Sequence, residues 1–235
     1  MLFSPASLPF GLIVGGLSME ALLVRGLLVF LAYIAGSIPV GVIVARVSGG
    51  PDPRTVGSGR TGGTNALRAL GRKWAAVVVA GDLAKGAVPV LVARWVTGGD
   101  SITEVLVAAA AVAGSVRSVF LNFSGGRGVG TGVGTMLVIQ PLAVILAAPV
   151  FFLVILATRY VSLGSLLGSA AMFPATLLIW AVASGWVAPA YLIWAAVGPV
   201  LIWLAHADNI DRLLHGKERK FDLNLITDGS RRQGG

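Results

Sequence analysis

Long apolar runs at positions 22–45, 74–96, 102–121, 142–157, 163–183 and 187–205 dominate the sequence, and most approach the ~20 residues that a helix needs to cross the hydrocarbon core of a bilayer. Strands of a membrane barrel would alternate apolar and polar residues, and these runs do not. The chain therefore reads as an all-α integral membrane protein. Its 235 residues are 56% apolar and only 12% charged, far from the balance of a soluble domain. Cysteine is absent, and the two histidines, His206 and His215, cannot build a metal site without carboxylate help, so neither a disulfide framework nor a metal is expected. A formal charge of +8 would point to nucleic acid in a soluble protein. Here the loops lack stacking aromatics and there is no basic soluble domain, so the basic residues are read as membrane-orientation signals and no nucleic-acid partner is expected.

Arg46, Arg54, Arg60, Arg68, Arg72 and Lys73 crowd one connection, and Arg212, Lys217, Arg219, Lys220, Arg231 and Arg232 crowd the C-terminal segment. The positive-inside rule places both in the cytoplasm. Connections 97–101 and 184–185 carry no basic residue and read as outside turns. With Arg117, Arg127 and Arg159 also inside, the segment 129–158 must leave and return, and Gln140-Pro141 supplies the break: a short helix over Val129–Ile139, then a full one from Leu142. The expectation is about seven transmembrane helices, N-terminus outside and C-terminus cytoplasmic, with one short helix after the second glycine-rich loop. A re-entrant helix or a cytoplasmic-side hairpin at 129–158 would keep the same loop sidedness. Residues 1–19 read as an N-terminal extension, without the basic region of a secretory signal and with Met19-Glu20 as an alternative start; 20–221 read as a single multi-pass domain and 222–235 as a flexible cytoplasmic tail.

Two glycine-and-arginine segments interrupt the apolar pattern, Gly57-Ser58-Gly59-Arg60-Thr61-Gly62-Gly63-Thr64-Asn65 and Ser124-Gly125-Gly126-Arg127-Gly128-Val129-Gly130-Thr131-Gly132. Glycines let consecutive backbone N–H groups approach a ligand, and arginine adds a fixed cation, so both segments suit phosphate at a membrane boundary. Gly57-x-Gly59-x-x-Gly62 formally matches the dinucleotide fingerprint, with Asp82 about 20 residues on, but it follows an apolar span and Pro51-Asp52-Pro53 rather than a strand, so that reading is rejected. A helix starting near Thr64 or Asn65, capped by either, would turn its free N–H groups to an anion, with Arg68 one turn further in. The plainer alternative is a tight turn with arginines that mark sidedness. In the second segment, Gly126, Gly130 and Gly134 recur every fourth residue, which also suits close helix packing. Packing does not explain Arg127 at a helix start, where the dipole disfavours a cation unless an anion joins it. Ser162 and Ser165 open another helix beside Arg159 and suit either capping or a phosphate; Asp82 and Lys85 form an i,i+3 pair inside an apolar run; His206 sits where a helix ends and would serve its dipole.

Several separated motifs in order, from Leu31 to Lys220, resemble the bacterial acyl-phosphate:glycerol-3-phosphate acyltransferases of the PlsY type. They are Gly36-Ser37-Ile38-Pro39 with Gly41, the loop Gly57–Asn65 with Arg68, Asp82-x-x-Lys85-Gly86, the loop 125–134, Val161-Ser162-Leu163-x-Ser165, and His206-x-x-Asn209-Ile210 with Arg212-Leu213-Leu214. The resemblance implies transfer of a fatty acyl group from acyl phosphate to the 1-hydroxyl of glycerol 3-phosphate, giving lysophosphatidic acid and phosphate at the cytoplasmic face of the cell membrane. It implies membrane lipids as surroundings and no metal, cofactor, acyl-CoA or acyl carrier protein. Carried over residue by residue, it implies Arg127, His206 and Ser165 as catalytic, and Ser58, Gly59, Thr64, Asn65, Arg68, Lys85, Gly125, Gly126, Gly128, Ser162 and Asn209 as substrate-binding.

The chain also departs from that pattern. Gly114-Ser115-Val116-Arg117-Ser118-Val119-Phe120 stands where the family has Gly-His-x-aromatic-Pro-Val-Phe. The lysine pair flanking two glycines is Ser124 and Arg127, an Asn or Asp is Arg60, and an arginine after the histidine is Ala207. Competing readings are an anion transporter or channel, which would show paired broken helices in two repeated halves, and a diverged non-catalytic homologue, which the altered second loop would produce.

Overall fold

The computed structural model describes residues 13–14, 17–222 and 225. The expected N-terminal extension 1–19 and tail 222–235 therefore fall largely outside the described residues. Ile13–Val14 pairs antiparallel with Leu17–Ser18, a departure of two two-residue strands from an all-α chain. Every regular element after it among the described residues is helical. Helix α1, Met19–Ser37, starts on Ser18, whose hydroxyl accepts from the Ala21 N–H at 3.2 Å. The apolar run 22–45 is not one helix: Pro39 has no N–H to continue the ladder, and the chain restarts as α2, Val40–Ser48. Helix α3, Gly63–Thr97, holds a break at Gly71 (φ 79°, ψ −179°), which separates a short arm from a long span. After α4, Ser101–Val116, come α5, Val129–Ile139, and α6, Pro141–Thr158, so the helix expected between Arg127 and Gln140-Pro141 has the predicted bounds. Helices α7, Val161–Ala170, and α8, Met172–Val182, together make one apolar 22-residue length. Helix α9, Pro189–Ala205, bends by 70° into α10, Ala207–Leu214.

Among the described residues five helical lengths are long and apolar enough to cross a membrane, six if the bent α9–α10 pair makes one span, and the 11-residue α5 is a shorter apolar helix beside them. Glycine fixes how they pack. A Cβ at Gly36 would sit 2.0 Å from Ala111 O, and one at Gly114 2.2 Å from Tyr33 O, so α1 and α4 meet backbone to backbone. The same contact recurs between α3 and α5, where a Cβ at Gly86 would meet Thr131 O and one at Gly134 would meet Leu83 O, each at 2.1 Å. Gly126 behaves differently: its nearest neighbour, Thr61 Oγ1 at 3.4 Å, is an ordinary contact, and it belongs to a loop. Around these seams the core is built of small and branched residues such as Ala32, Val90, Ala93, Val107 and Ala111.

Connections gather at two ends of the bundle. At one, Arg25 pairs with Asp100 at 3.3 Å, the fully buried Glu104 takes Arg94 Nη2 at 2.7 Å and the Tyr191 hydroxyl at 2.9 Å, and Gln140 Nε2 donates to Trp186 O at 3.5 Å. At the other, Lys85 Nζ reaches Ile38 O at 3.4 Å, Arg127 reaches Ala205 O at 2.9 Å, and the Phe221 N–H donates to Arg159 O at 2.6 Å. Both glycine-and-arginine segments lie at this second end.

Candidate active site

The first loop is organised by one buried amide. Gly57 (φ 56°) and Gly59 (φ 70°) take left-handed backbone, and Gly59 N–H closes a turn on Val56 O at 3.0 Å. Asn65 Nδ2 donates to Arg60 O at 2.9 Å and to Ser58 Oγ at 3.1 Å, while its Oδ1 accepts from Ser58 N–H at 3.4 Å and Arg68 Nη1 at 3.0 Å. The expected cap at Thr64 or Asn65 is corrected: α3 begins at Gly63 on Gly62 with no side-chain cap. Asn65, one turn inside, instead faces back and takes over the loop's polar groups. Burial, and then the like charge of Arg219, push the Arg68 guanidinium below its ordinary pKa. The loop rests on α2 at Gly41, where a Cβ would meet Thr61 O at 2.1 Å.

The second loop is pinned where Gly126 N–H donates to Ser115 O at 2.9 Å. Gly128 (φ 75°) starts α5, whose first intrahelical bond is Gly132 N–H to Gly128 O at 2.7 Å, so the N–H groups of 129–131 have no partner within the helix. The anion expected beside Arg127 is supplied by the protein itself. Its guanidinium forks onto Asp208, Nη1 to Oδ1 at 2.8 Å and Nη2 to Oδ2 at 3.0 Å, and also donates to Ala205 O at the end of α9. Arg127 thereby holds the Asp208 carboxyl well below the usual carboxylate range, with Arg212 adding to the effect.

Neither serine of α7 caps it; Tyr160 is the N-cap and makes no side-chain bond. Ser162 Oγ donates to Glu218 Oε1 at 3.1 Å, and Ser165 Oγ donates back to Val161 O at 2.9 Å. Glu218 closes over this side of the site, taking Asn209 Nδ2 at 2.8 Å and Arg212 Nε at 2.8 Å. His206 is 1% exposed, and its Nδ1 lies 2.7 Å from Ile202 O. A carbonyl only accepts, so Nδ1 carries the proton and Nε2 is the bare nitrogen. Burial lowers its pKa to about 4, so the histidine is neutral at the end of α9 rather than a cationic partner of the helix dipole.

These groups enclose a polar cavity of about 270 Å³. Ser58, Thr64, Asn65, Arg68, Lys85, Gly126, Arg127, Gly128, Ser162, Ser165, His206 and Asn209 all line it; Gly59 and Gly125 stand behind the lining. Arg60, Asp82, Ser115, Glu218 and Arg219 also line it although the motifs did not single them out for the site. Arg60 was legible as a cation of the first glycine segment and as a departure, Ser115 only as a departure, and Glu218 was one charge in the run Lys217-Glu218-Arg219-Lys220. Lys85 Nζ is paired with Asp82 Oδ1 at 2.8 Å. Two buried atoms of the wall, Thr131 Oγ1 and Asn209 Oδ1, lack a hydrogen-bond partner among the described residues. Adjoining it is an apolar cavity of about 310 Å³ enclosed by residues of α3 to α9, and the two share Val79, Val129, Gly130, Phe151 and Ser165.

Residues 26–216 match the family model described as Glycerol-3-phosphate acyltransferase. A glycerol-3-phosphate acyltransferase of Anaeromyxobacter sp. (strain Fw109-5) is 44% identical over 197 residues, which cover 82% of this chain and 94% of the relative. One of Thermus thermophilus is 42% identical, over 81% of this chain and 92% of the relative. Crystal structures of PlsY, an integral membrane glycerol 3-phosphate acyltransferase, align as well. Its glycerol 3-phosphate form has a TM-score of 0.77 at 35% identity, over 88% of this chain and 100% of PlsY. Its lysophosphatidic acid form has a TM-score of 0.74 at 33% identity, over 87% and 99%.

Proposed function

The chain belongs to the glycerol-3-phosphate acyltransferase family, and on that premise we propose that it moves a fatty acyl group from acyl phosphate to the 1-hydroxyl of glycerol 3-phosphate in the cell membrane. One observation carries this reading: a cation-rich polar cavity and an apolar cavity share a wall at the first turn of α5. A donor with a phosphate head and an acyl chain fits across that wall, head in one and chain in the other, and the polar side keeps room for a small phosphorylated acceptor.

In the reaction the 1-hydroxyl oxygen attacks the acyl carbonyl carbon, the ester C–O bond forms, and the anhydride C–O bond breaks as phosphate leaves with its electron pair. Negative charge grows on the carbonyl oxygen and the leaving phosphate, and the free N–H groups of 129–131 meet it, with Arg127 adding positive potential from its braced position. Ser58 and Arg68 hold phosphate on the first-loop side, where Asn65 fixes their geometry. Asn209 donates through Nδ2 to Glu218; its Oδ1 is left as an acceptor and suits a glycerol hydroxyl, because a phosphate dianion has no proton to give. His206 is a poor proton acceptor, with Nδ1–H spent on Ile202 O and its pKa at about 4. The hydroxyl proton therefore passes to a phosphate oxygen of the substrates themselves.

The seven-helix reading is kept, with α5 as a short span: its start lies at the site end and Gln140, just past it, is bonded to Trp186 at the other end. The basic residues 46–73 and 212–220 belong to the site end, which supports a cytoplasmic site, an outside N-terminus and a cytoplasmic C-terminus. The decisive assay takes the purified protein in lipid with palmitoyl phosphate and glycerol 3-phosphate, and measures phosphate release and lysophosphatidic acid together. Equimolar products are expected; no acylated product, where an authentic family member gives it, refutes the reading.

A further inference from the structure

The cations of the polar cavity divide into those already neutralised and those that are not. Lys85 is paired with Asp82, and Arg127 is forked onto Asp208. Arg60 is half-buried in the cavity wall, and the bond it makes is from Nη1 to Gly125 O at 3.4 Å. Among the described residues no carboxylate forms an ion pair with it. Its backbone is fixed, because Asn65 Nδ2 holds Arg60 O at 2.9 Å, so the side chain leaves the first loop in one direction, toward the second. Burial lowers its pKa, and the positive charges of Arg127 and Arg117 lower it further, only partly offset by Asp208. A guanidinium half out of water among other arginines is costly unless an anion shares its site.

The occupant follows from what adjoins it. Gly125 leads within five residues to Val129 and Gly130, which line both cavities. A ligand whose chain fills the apolar cavity must place its head at this turn, within the field of Arg60. Arg68, in the first turns of α3, is bonded to Asn65 and lies near Arg219. We infer that Arg60, rather than Arg127, is the side chain that binds the phosphoryl group of the acyl phosphate donor and then the phosphate it releases, while Arg68 serves the acceptor. The inference rests on the acyltransferase reading. It makes Arg60 a substrate-binding residue that bridges the two glycine loops, in place of the braced Arg127.

Arg60→Gln, which keeps a donor for Gly125 O but removes the charge, tests it. The expected result is a rise of about tenfold or more in the KM for palmitoyl phosphate and in the inhibition constant of inorganic phosphate, with the KM for glycerol 3-phosphate changed less than about twofold. Arg60→Lys, which keeps the charge without the fork, should recover part of the loss. An unchanged donor KM and phosphate inhibition overturn the inference, and so does a rise confined to the glycerol 3-phosphate KM. Binding of inorganic phosphate, followed by thermal shift in detergent with glycerol 3-phosphate saturating the Arg68 side, needs no turnover: phosphate should stabilise wild type further and should not stabilise Arg60→Gln further. If the Gln variant does not fold, the Lys variant carries the same comparison. Failure of the acyltransferase reading is separate, since it appears as absent lysophosphatidic acid in wild type.

Discussion

Gly134→Ala tests how the site is held in place. A methyl at position 134 would lie 2.1 Å from Leu83 O, against the 3.4 Å at which ordinary contact begins, so α3 and α5 must part by about 1.3 Å. The obstacle is a backbone carbonyl inside a helix, and no rotamer change relieves it. Overpacking of this kind costs about 1–3 kcal/mol. The consequence for activity is larger, because the N-terminal turn of the same 11-residue helix forms the wall shared by the two cavities, and a misplacement of ~1 Å at a reacting geometry costs on the order of a hundredfold. The assay is turnover in lipid beside thermal unfolding in detergent. Gly26→Ala is the control, since nothing lies within 4 Å of its Cβ position; it should melt at or slightly above wild type and turn over normally. Gly86→Ala should behave like Gly134→Ala, and the double variant should lose far less than the sum, because one separation of α3 from α5 relieves both contacts. Wild-type melting and turnover in Gly134→Ala would refute the claim that this seam positions the loop.

At the far end of the bundle, Glu104→Ala should cost about 1–3 kcal/mol by stripping the buried carboxylate from Tyr191 and from Arg94, whose side chain keeps access to water. The KM values should stay near wild type in the surviving folded protein, and a selective rise in KM would count against a purely structural network. His206 titrates near 6.5 when unfolded and at about 4 when folded. Its lowered folded pKa means that stability is fully present above pH 6.5 and falls toward pH 4, by on the order of 3 kcal/mol. No limb of the activity profile near pH 6.5 should come from it, and a histidine NMR titration at 6.5 assigned to His206 would overturn this. The depressed pKa of Asp208 works in a more acid window: the clamp is fully present above the unfolded value of about 3.9 and is lost as pH falls below it. Asp208→Ala and Arg127→Ala should be strongly non-additive in melting temperature, and additive losses would mean that the fork is not maintained in lipid.

Apolar run length made the spans legible, and Gln140-Pro141 gave the end of α5 and the start of α6, because proline lacks the N–H that would continue the helix and forces the preceding residue out of helical geometry. Gly71 was not legible in the same way. A single glycine in a helical pattern is as often tolerated as not, and only its φ of 79° shows that the loop-bearing arm turns away from the span. The first loop was read as an anion site from its glycines, yet the residue that organises it, Asn65, was expected to cap. Both roles use a short amide one turn from a helix start, and the difference is only which way it faces. Arg127 shows the limit more sharply. The helix dipole argument correctly demanded an anion beside it, but a carboxylate 81 positions later supplies it, and nothing local to either segment predicts that pairing.

That pairing changes how the charge of the site is understood. Counted by sequence, the second loop loses one lysine, keeps a cation at Arg127, and looks weakened. Counted by contact among the described residues, Arg127 and Lys85 are both balanced by carboxylates, whereas Arg60 is bonded to a carbonyl and Arg68 to an amide oxygen, with no ion pair on either. An anion entering the cavity is drawn to the uncompensated charges, since a guanidinium already forked onto a carboxylate has given up most of its field and two of its donors. Arg60 and Arg68 both depend on Asn65, through the carbonyl of one and the side chain of the other. Asn65→Ala should therefore weaken both substrates together, raising the KM for donor and for glycerol 3-phosphate in parallel, unlike Arg60→Gln. A change in only one of the two would show that the arginines are positioned independently and that the buried amide is packing alone.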